Sequence, residues 1–248
     1  MPDVWIDSRE QIAAECAKRF EQAAAGAIDS RGRFTCAVPG GSVAQTCCPA
    51  LARADVDWSR TQVFWADERA VTPSDPQSNY RLAWQLWLQH VEIPAAGIHR
   101  MLADAADLDR AAMTYDMDLR QALGDPPALD LLLLGVGPDG HVGSLFPGHR
   151  ALDERTQYAV AVGDAPKPPP RRITLTLPAI RAARAILVCA FGEEKAEVVR
   201  DALGNQDATS PLALATRGHQ NVAWLLDPAA AAALTPPSPA PATRRSAP

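Results

Sequence analysis

The sequence predicts an α/β fold with an open, mostly parallel β-sheet and helices on both of its faces. Short apolar runs that suit strands alternate along the chain with longer amphipathic segments, the pattern that builds such sheets. The run Leu129–Leu134, bounded by Pro127 and Gly135, is almost purely apolar, as expected of a central strand covered on both faces. Ligands of these folds bind outside the carboxyl ends of the strands, so the segments that follow strands carry the functional information.

The alternation assigns the elements in chain order. The first helix runs from Ser8 to about Ala25, with apolar residues at helical spacing and Ser8 as a suitable N-cap. Four further helices are predicted from near Val43 and at Ser78–Gln89, Asp104–Leu123 and Glu193–Leu203. Strands are predicted at Phe34–Val38, Thr61–Trp65, Leu129–Leu134, Tyr158–Val162, Ile173–Leu177, Ala185–Phe191 and Val222–Leu226.

The chain is expected to form one domain over residues 1–234. We find no internal repeat and no linker in this range. Residues 235–248 are rich in alanine and proline and are expected to be a disordered tail.

Composition excludes several classes of function. With 248 residues, of which 47% are hydrophobic, the chain can bury a large core, and its net charge of −5 offers no basic face for nucleic acid. The N-terminus carries acidic residues and does not resemble a signal peptide, and no apolar stretch approaches the length of a membrane span. We therefore expect a soluble cytoplasmic protein without nucleic-acid or membrane partners.

The cysteines are expected to be reduced and mostly buried. There are five, an odd number, and none forms a C-x-x-C pair: Cys16, Cys36, Cys47, Cys48 and Cys189. This spacing suits neither a disulfide framework nor a zinc site. The histidines also lack metal-ligand spacing.

Gly40 and Gly41 lie between a predicted strand and a predicted helix. Paired glycines let the backbone approach a ligand closely, and the amides at a helix N-terminus favour an anion such as phosphate. Ser42 adds a hydroxyl to this segment. The alternative is a simple tight turn with a serine N-cap, since the lysine of a P-loop is absent.

Three consecutive charged residues, Asp67, Glu68 and Arg69, follow the strand Thr61–Trp65. This position is the carboxyl edge of the sheet, where pKa values are easily perturbed, and a guanidinium offers several donors to an anion. Asn79 is a further candidate ligand contact, whereas Ser78 is better explained as a helix N-cap. The alternative is a solvated loop with a local ion pair.

The glycine-rich segment 135–140 satisfies the pattern G-x-G-x-x-G after a strand, and Asp153 lies near the distance expected of a ribose-binding acid. Pro138 occupies the turn that would hold the pyrophosphate, and a Pro-Gly pair at 147–148 ends any helix too early. The nucleotide-binding interpretation is therefore disfavoured.

Asp139 and His141 give this segment a better interpretation. A histidine with a carboxylate two residues away, at the carboxyl end of the central strand, suits a general base. The alternative is a histidine that only hydrogen-bonds its loop. Lys195, in the first turn of a helix, and Arg171 or Arg172, before a strand, are candidate phosphate contacts or plain surface charges.

From Val4 to about Ala233 the chain resembles the 6-phosphogluconolactonase family, which is related to glucosamine-6-phosphate deaminases. Each matching motif is short, but they follow one another in order. They are Gly40–Ser42, Trp65–Arg69, Asp75-Pro76 with Ser78–Tyr80, Leu131–Gly148, Arg172–Pro178, Gly192 with Lys195, and Trp224–Asp227.

The resemblance implies a Rossmann-like fold, hydrolysis of 6-phospho-D-glucono-1,5-lactone in the pentose phosphate pathway, and no metal or organic cofactor. His141 matches the family's general base and Asp139 the acid beside it. Asp67 and Arg69 match the acid and the arginine of the other site loop. The matching phosphate contacts are Gly40, Gly41, Ser42 and Lys195.

The implied mechanism is attack of water on the lactone carbonyl. His141 removes the proton from water, Arg69 stabilises the oxyanion, and either Asp139 or Asp67 orients the imidazole. Rival hypotheses are an isomerase or deaminase of the glucosamine-6-phosphate type and a non-catalytic sensor of sugar phosphates. The oligomeric state is left open, with a monomer favoured.

Overall fold

The computed structural model describes residues 2–234 and contains two β-sheets. The strands within these residues are β1 (Asp3–Ile6), β2 (Phe34–Val38), β3 (Thr61–Trp65), β4 (Asp67–Arg69), β5 (Leu131–Gly135), β6 (Ala159–Val162), β7 (Arg172–Leu175), β8 (Ile186–Ala190) and β9 (Val222–Leu226). Six strands form a parallel sheet in the order β1-β9-β8-β5-β2-β3, and three form an antiparallel sheet in the order β4-β7-β6.

The α-helices within residues 2–234 are α1 (Arg9–Arg31), α2 (Gly41–Leu51), α3 (Asn79–Leu86), α4 (Leu108–Leu123), α5 (Leu177–Ala182), α6 (Ala196–Gly204) and α7 (Pro211–Thr216). Strands and helices alternate as the sequence predicts, and the predicted fold class is confirmed. No helix of the described residues combines the length and the apolar character that a membrane crossing requires.

The position of the candidate site follows from the strand order. From β2 the chain passes to β3 on one side, whereas β5, β8 and β9 follow one another on the other side. The order in which successive strands are added to the sheet therefore reverses between β2 and β5. These two parallel strands pair through Cys36↔Leu131 and Ala37↔Leu132. Both strands are buried along almost their whole length. A reversal of this kind leaves a crevice at the carboxyl ends of the two strands.

The second sheet places charged side chains at this crevice. Strand β4 consists of Asp67, Glu68 and Arg69, which the sequence analysis placed in a loop because three charged residues give no strand signal. It pairs antiparallel with β7, so that Asp67 lies opposite Thr174 and Arg69 opposite Arg172. Since side chains alternate between the faces of a strand, these four lie on one face and Glu68 lies on the other.

Glu68 caps helix α3 from outside the helix. Its buried carboxylate accepts hydrogen bonds from the backbone amides of Asn79 and Tyr80, at 2.8 and 2.7 Å, and from Ser78 Oγ at 2.9 Å. The helix dipole favours a carboxylate at this end. Ser78 is also the N-cap of α3, as predicted, because its Oγ accepts from the Arg81 amide. The contacts fix β4 relative to α3.

Some predicted boundaries are wrong. Leu177 is not in a strand: β7 ends at Leu175, and Thr176 caps α5, which has Pro178 in its first turn. The helix predicted from Asp104 begins at Leu108, after the N-cap Asp107. The helix predicted up to Gln89 ends at Leu86.

Other elements were not predicted from the sequence. These are β1, β4, α5 and α7. The segment predicted as one helix at 193–203 is a 3₁₀ turn at 193–195 followed by α6. The predicted tail at 235–248 lies outside the described residues, and the single domain at 1–234 stays a prediction.

Candidate active site

The carboxyl ends of β2 and β5 border an open cleft with a volume of about 130 Å³. Seven of the predicted site residues line it, and they come from four separate segments of the chain. They are Gly40, Gly41, Ser42, Asp67, Arg69, His141 and Arg172. The topology therefore brings together most of the residues that the sequence analysis selected.

One wall of the cleft is the N-terminus of helix α2. The helix begins at Gly41, which has a φ of +62°, and its N-cap is Gly40. Gly40 has no side chain that could cap this end, and no acidic residue lies in the first turn of α2. The first amides of a helix have no partner within the helix, and together with the dipole they favour an anion.

Gly40 is required by the packing of Asn79. A Cβ at residue 40 would lie 1.7 Å from Asn79 Oδ1. The Asn79 side chain is buried, and its Nδ2 donates to the backbone oxygen of Asp67 at 2.8 Å and to Asp67 Oδ1 at 3.0 Å. Asn79 therefore lies behind the cleft and connects the α2 N-terminus to Asp67. It is not among the residues that line the cleft, and the ligand contact expected of it stays a prediction.

Two arginines on β4 and β7 create a positive region in the cleft. Arg69 and Arg172 lie opposite each other in register, where like charges repel. Burial lowers the pKa of Arg172 below its ordinary value, with Asp67 opposing this effect and Arg69 adding to it. Arg69 Nη1 donates to the Gln77 backbone oxygen at 2.7 Å, whereas its buried Nε has no acceptor among residues 2–234. An anion in the cleft would offset both positive charges.

Asp67 is fixed by its neighbours on the same face. Its Oδ2 accepts from Ser144 Oγ at 2.7 Å and lies 3.8 Å from an Nη of Arg172. The Ser144 amide in turn donates to Thr174 Oγ1 at 3.0 Å. Gly143, with a φ of +54°, allows this approach, because a Cβ there would lie 2.9 Å from Thr174 Oγ1. Asp67 is therefore a held, 5% exposed carboxylate rather than a solvated one.

His141 packs directly on the backbone of Gly137. A Cβ at residue 137 would lie 2.0 Å from both Cε1 and Nδ1 of the imidazole. The loop closes on itself because the Gly137 amide donates to the His141 backbone oxygen at 2.9 Å. The ring also packs against Phe146, with ring centroids 4.7 Å apart. Both a glycine backbone and an aromatic side chain therefore hold the ring at the edge of the cleft.

The sequence left open whether Asp139 or Asp67 hydrogen-bonds His141. In the structure this carboxylate is Asp139. Its Oδ1 lies 2.5 Å from His141 Nδ1. A carboxylate only accepts hydrogen bonds, so Nδ1 carries the proton and Nε2 keeps its lone pair. Nε2 makes no hydrogen bond to any of residues 2–234.

Burial lowers the pKa of His141 below the ordinary value for histidine, and the charge of Lys167 adds to this effect. Asp139 and Asp67 oppose it, but the net direction is downward. The imidazole is therefore neutral at neutral pH. A neutral imidazole with a free Nε2 can accept a proton, which is the property a general base requires.

The sequence analysis missed Lys167. Its Nζ lies 3.2 Å from Asp139 Oδ1 and 3.4 Å from His141 Nδ1. The residue lies 26 positions from His141 within a proline run, where no periodicity indicates the direction of a side chain. The two arginines at the end of this run could not be separated by sequence. In the structure Arg172 is buried beside the cleft, whereas Arg171 is exposed and does not line it.

Lys195 lies apart from the residues that line the cleft. It follows β8, and its buried side chain has Nζ 4.0 Å from Glu194 Oε1. Burial lowers its pKa, while Glu194 opposes this effect. The phosphate contact expected of Lys195 stays a prediction.

All five cysteines are free and buried. The Sγ atoms of Cys16, Cys47 and Cys189 lie within 4.8 Å of one another, which is the one cluster of three or more possible metal ligands found in residues 2–234. The three residues come from α1, α2 and β8 and belong to the apolar core rather than to the lining of the cleft. Sequence spacing gave no sign of this cluster.

The fold and the cleft are those of an α/β enzyme in which a hydrogen-bonded Asp139–His141 pair lies at a cleft bordered by the N-terminus of α2. Comparison with known proteins agrees with this class. The family model for glucosamine-6-phosphate isomerases/6-phosphogluconolactonase matches residues 7–224. The 6-phosphogluconolactonase of Mycobacterium tuberculosis is 41% identical over 241 residues, which cover 94% of this chain and 97% of that protein.

Solved structures show the same fold. The 6-phosphogluconolactonase of Trypanosoma brucei superposes with a TM-score of 0.84 at 25% identity, over 95% of this chain and 99% of that one. A monomeric glucosamine-6-phosphate deaminase superposes with a TM-score of 0.77 at 22% identity, over 93% of this chain and 99% of that one. The chain belongs to the glucosamine-6-phosphate isomerase/6-phosphogluconolactonase family.

The contact between Gly40 and Asn79 predicts that substitutions at these two positions have non-additive effects on the free energy of unfolding. Gly40→Ala should lower the free energy of unfolding by about 1–3 kcal/mol, because the buried Asn79 side chain leaves no room for a methyl group. Asn79→Ala removes two hydrogen bonds to Asp67 but also removes the clash. The double variant should therefore be more stable than the sum of the two effects, by about 1–2 kcal/mol.

Urea unfolding of the three variants measures this coupling. Gly26→Ala is the matched control, because Gly26 lies in helix α1 and a Cβ there meets nothing within 4 Å. It should leave stability unchanged or raise it by up to about 1 kcal/mol. Strict additivity of Gly40→Ala and Asn79→Ala would contradict the contact.

Proposed function

We propose that this protein hydrolyses 6-phospho-D-glucono-1,5-lactone to 6-phospho-D-gluconate, with His141 as the general base. The observation that carries the proposal is the geometry of His141, whose Nδ1 is bound to Asp139 while Nε2 is free beside an anion-binding cleft. The 6-phosphogluconolactonases that cover more than nine tenths of the chain support the choice of substrate.

The reaction begins with a water molecule between His141 Nε2 and the lactone carbonyl. His141 removes a proton from this water as the oxygen attacks the carbonyl carbon. Asp139 holds the imidazole in the required tautomer and stabilises the charge that forms on it. The imidazolium then returns the proton to the ring oxygen as that oxygen leaves, so the base is restored and no cofactor is consumed.

The oxyanion and the phosphate need separate positive groups. Arg69, with its buried Nε free, is the proposed donor to the developing oxyanion, and a positioned donor of this kind contributes about 100-fold to 1000-fold in rate. The amides at Gly41 and Ser42 are the proposed phosphate contacts, with Lys195 as a further one. Arg172 contributes positive charge at the base of the cleft, and Asp67 keeps that arginine in place.

We also propose that the protein acts in the cytoplasm as a single-domain monomer and that it requires no metal or organic cofactor. Its five cysteines are free thiols, which agrees with a reducing compartment. The proposed mechanism assigns every proton transfer to a side chain of the cleft.

The direct test is the hydrolysis of freshly prepared 6-phosphogluconolactone, coupled to 6-phosphogluconate dehydrogenase and corrected for the spontaneous rate. Acceleration by the purified protein supports the proposal. If folded protein does not accelerate hydrolysis, the proposal is wrong, and release of ammonia from glucosamine 6-phosphate then tests the deaminase hypothesis. Binding of the sugar phosphate without either reaction would identify a sensor.

His141→Gln should lower kcat by about 100-fold or more, because the variant has no group that can accept the proton from water. KM should change little, since the phosphate contacts lie elsewhere in the cleft. His90→Gln is the control, because His90 is exposed and does not line the cleft. A His141→Gln enzyme with nearly full activity at neutral pH would overturn the assignment of the base.

The pH profile should show a single acidic limb. The protein is active when His141 is neutral, so kcat/KM is lost as the pH falls through the pKa of this residue. Since burial lowers that pKa, the midpoint should lie below the ordinary value of about 6.5. Initial rates between pH 4.5 and 8 measure it, and a midpoint above 7 would contradict the proposed environment of His141.

A further inference from the structure

Lys167 contacts both members of the Asp139–His141 pair. Asp139 Oδ1 accepts hydrogen bonds from His141 Nδ1 at 2.5 Å and from Lys167 Nζ at 3.2 Å. The Lys167 Nζ atom also lies 3.4 Å from His141 Nδ1. An ammonium group has only donors, and Nδ1 already carries the proton that points to Asp139. Lys167 therefore bonds to the carboxylate and acts on the imidazole through its charge.

The loop that carries Lys167 is fixed at several points. Its base is closed by a hydrogen bond from the Ala165 amide to the Pro170 backbone oxygen at 2.9 Å. The buried guanidinium of Arg172 donates to the backbone oxygens of Lys167 and Pro169, at 3.0 and 2.9 Å. Residues 168–170 are all proline, which further limits the backbone. The backbone of Lys167 is thus held beside Asp139.

His141 is surrounded by charges from several elements. Those that act directly on it are Asp139 from its own loop, Lys167 from the proline loop and Asp67 from β4. Arg69 and Arg172, on β4 and β7, line the same cleft. Asp139 and Asp67 favour the protonated imidazole, so a carboxylate that orients His141 also tends to leave it charged and unable to act as a base. Lys167 opposes this tendency, with its Nζ 3.4 Å from His141 Nδ1.

We propose that Lys167 is a positioning residue that neutralises Asp139, so that Asp139 fixes the tautomer of His141 without drawing a second proton onto Nε2. Lys167, Asp139 and His141 then form a triad in which the positive charge of the lysine cancels the negative charge of the aspartate. Its consequence for catalysis rests on the proposed function, but the charge state of His141 can be measured without any substrate.

The first experiment is an NMR titration of the His141 ring in four proteins: the wild type, Lys167→Met, Lys167→Arg and Arg171→Met. Lys167→Met should move the midpoint upward by about half to one pH unit, because a positive charge near Nδ1 is lost. Lys167→Arg should restore the wild-type midpoint, since it restores the charge. Arg171→Met removes an exposed charge from the same segment and should leave the midpoint unchanged.

Nitrogen chemical shifts in the same samples report the tautomer. The Nδ1–H form should persist in Lys167→Met because Asp139 still accepts that proton. A midpoint that does not move in Lys167→Met, or that moves as far in Arg171→Met, overturns the proposal.

Kinetics separate charge tuning from direct substrate binding. In Lys167→Met, kcat/KM should fall about 3-fold to 10-fold more between pH 8 and pH 6 than in the wild type, in step with the NMR midpoint. A raised KM with an unchanged pH profile would show that Lys167 binds substrate instead, and would overturn the proposal. If the wild type does not hydrolyse the lactone but the NMR midpoint moves as stated, the proposed function fails while the role of Lys167 stands.

Discussion

Close approach of side chains to glycine backbone is the constraint on which the cleft depends. At Gly40, Gly137 and Gly143 a neighbouring side chain lies at 1.7 to 2.9 Å from the place of a missing Cβ. Two of these contacts position side chains that line the cleft: the Gly137 backbone supports the His141 ring, and Gly143 lets Thr174 fix Ser144, which hydrogen-bonds Asp67. The third, between Gly40 and Asn79, connects the N-terminus of α2 to Asp67. A larger residue at any of these positions would move apart the segments that border the cleft.

Charge balance is the second requirement of the site. Burying Arg172 opposite Arg69 is unfavourable in the free protein, and Asp67 compensates only in part. The repulsion between the two arginines occurs at the cleft, where an anionic substrate would supply the missing negative charge. On the other face of β4, Glu68 is balanced in a different way, because backbone amides of α3 hydrogen-bond its carboxylate. Burial nevertheless raises its pKa. Because side chains alternate along β4, Asp67 and Arg69 line the cleft, whereas Glu68 lies on the other face and caps α3.

The sequence predicted five of the six strands of the parallel sheet, all but β1, because those five are apolar runs. It selected most of the residues that line the cleft because the unusual polar segments follow strands. It could not predict β4, since three charged residues form a strand there only through pairing with β7. Nor could it place Lys167, which reaches His141 across 26 residues. Nor could the sequence show that Asn79 is buried behind the cleft, because its burial depends on how α3 packs against Gly40.

The central claim is that the cleft between β2 and β5 holds a sugar phosphate with its reacting carbon at His141. A crystal structure with 6-phosphogluconate bound tests this claim most directly. The account predicts the phosphate against the amides at Gly41 and Ser42, and the C1 carboxylate about 3–3.5 Å from His141 Nε2. A ligand bound outside this cleft, or bound with its phosphate at His141, would contradict it.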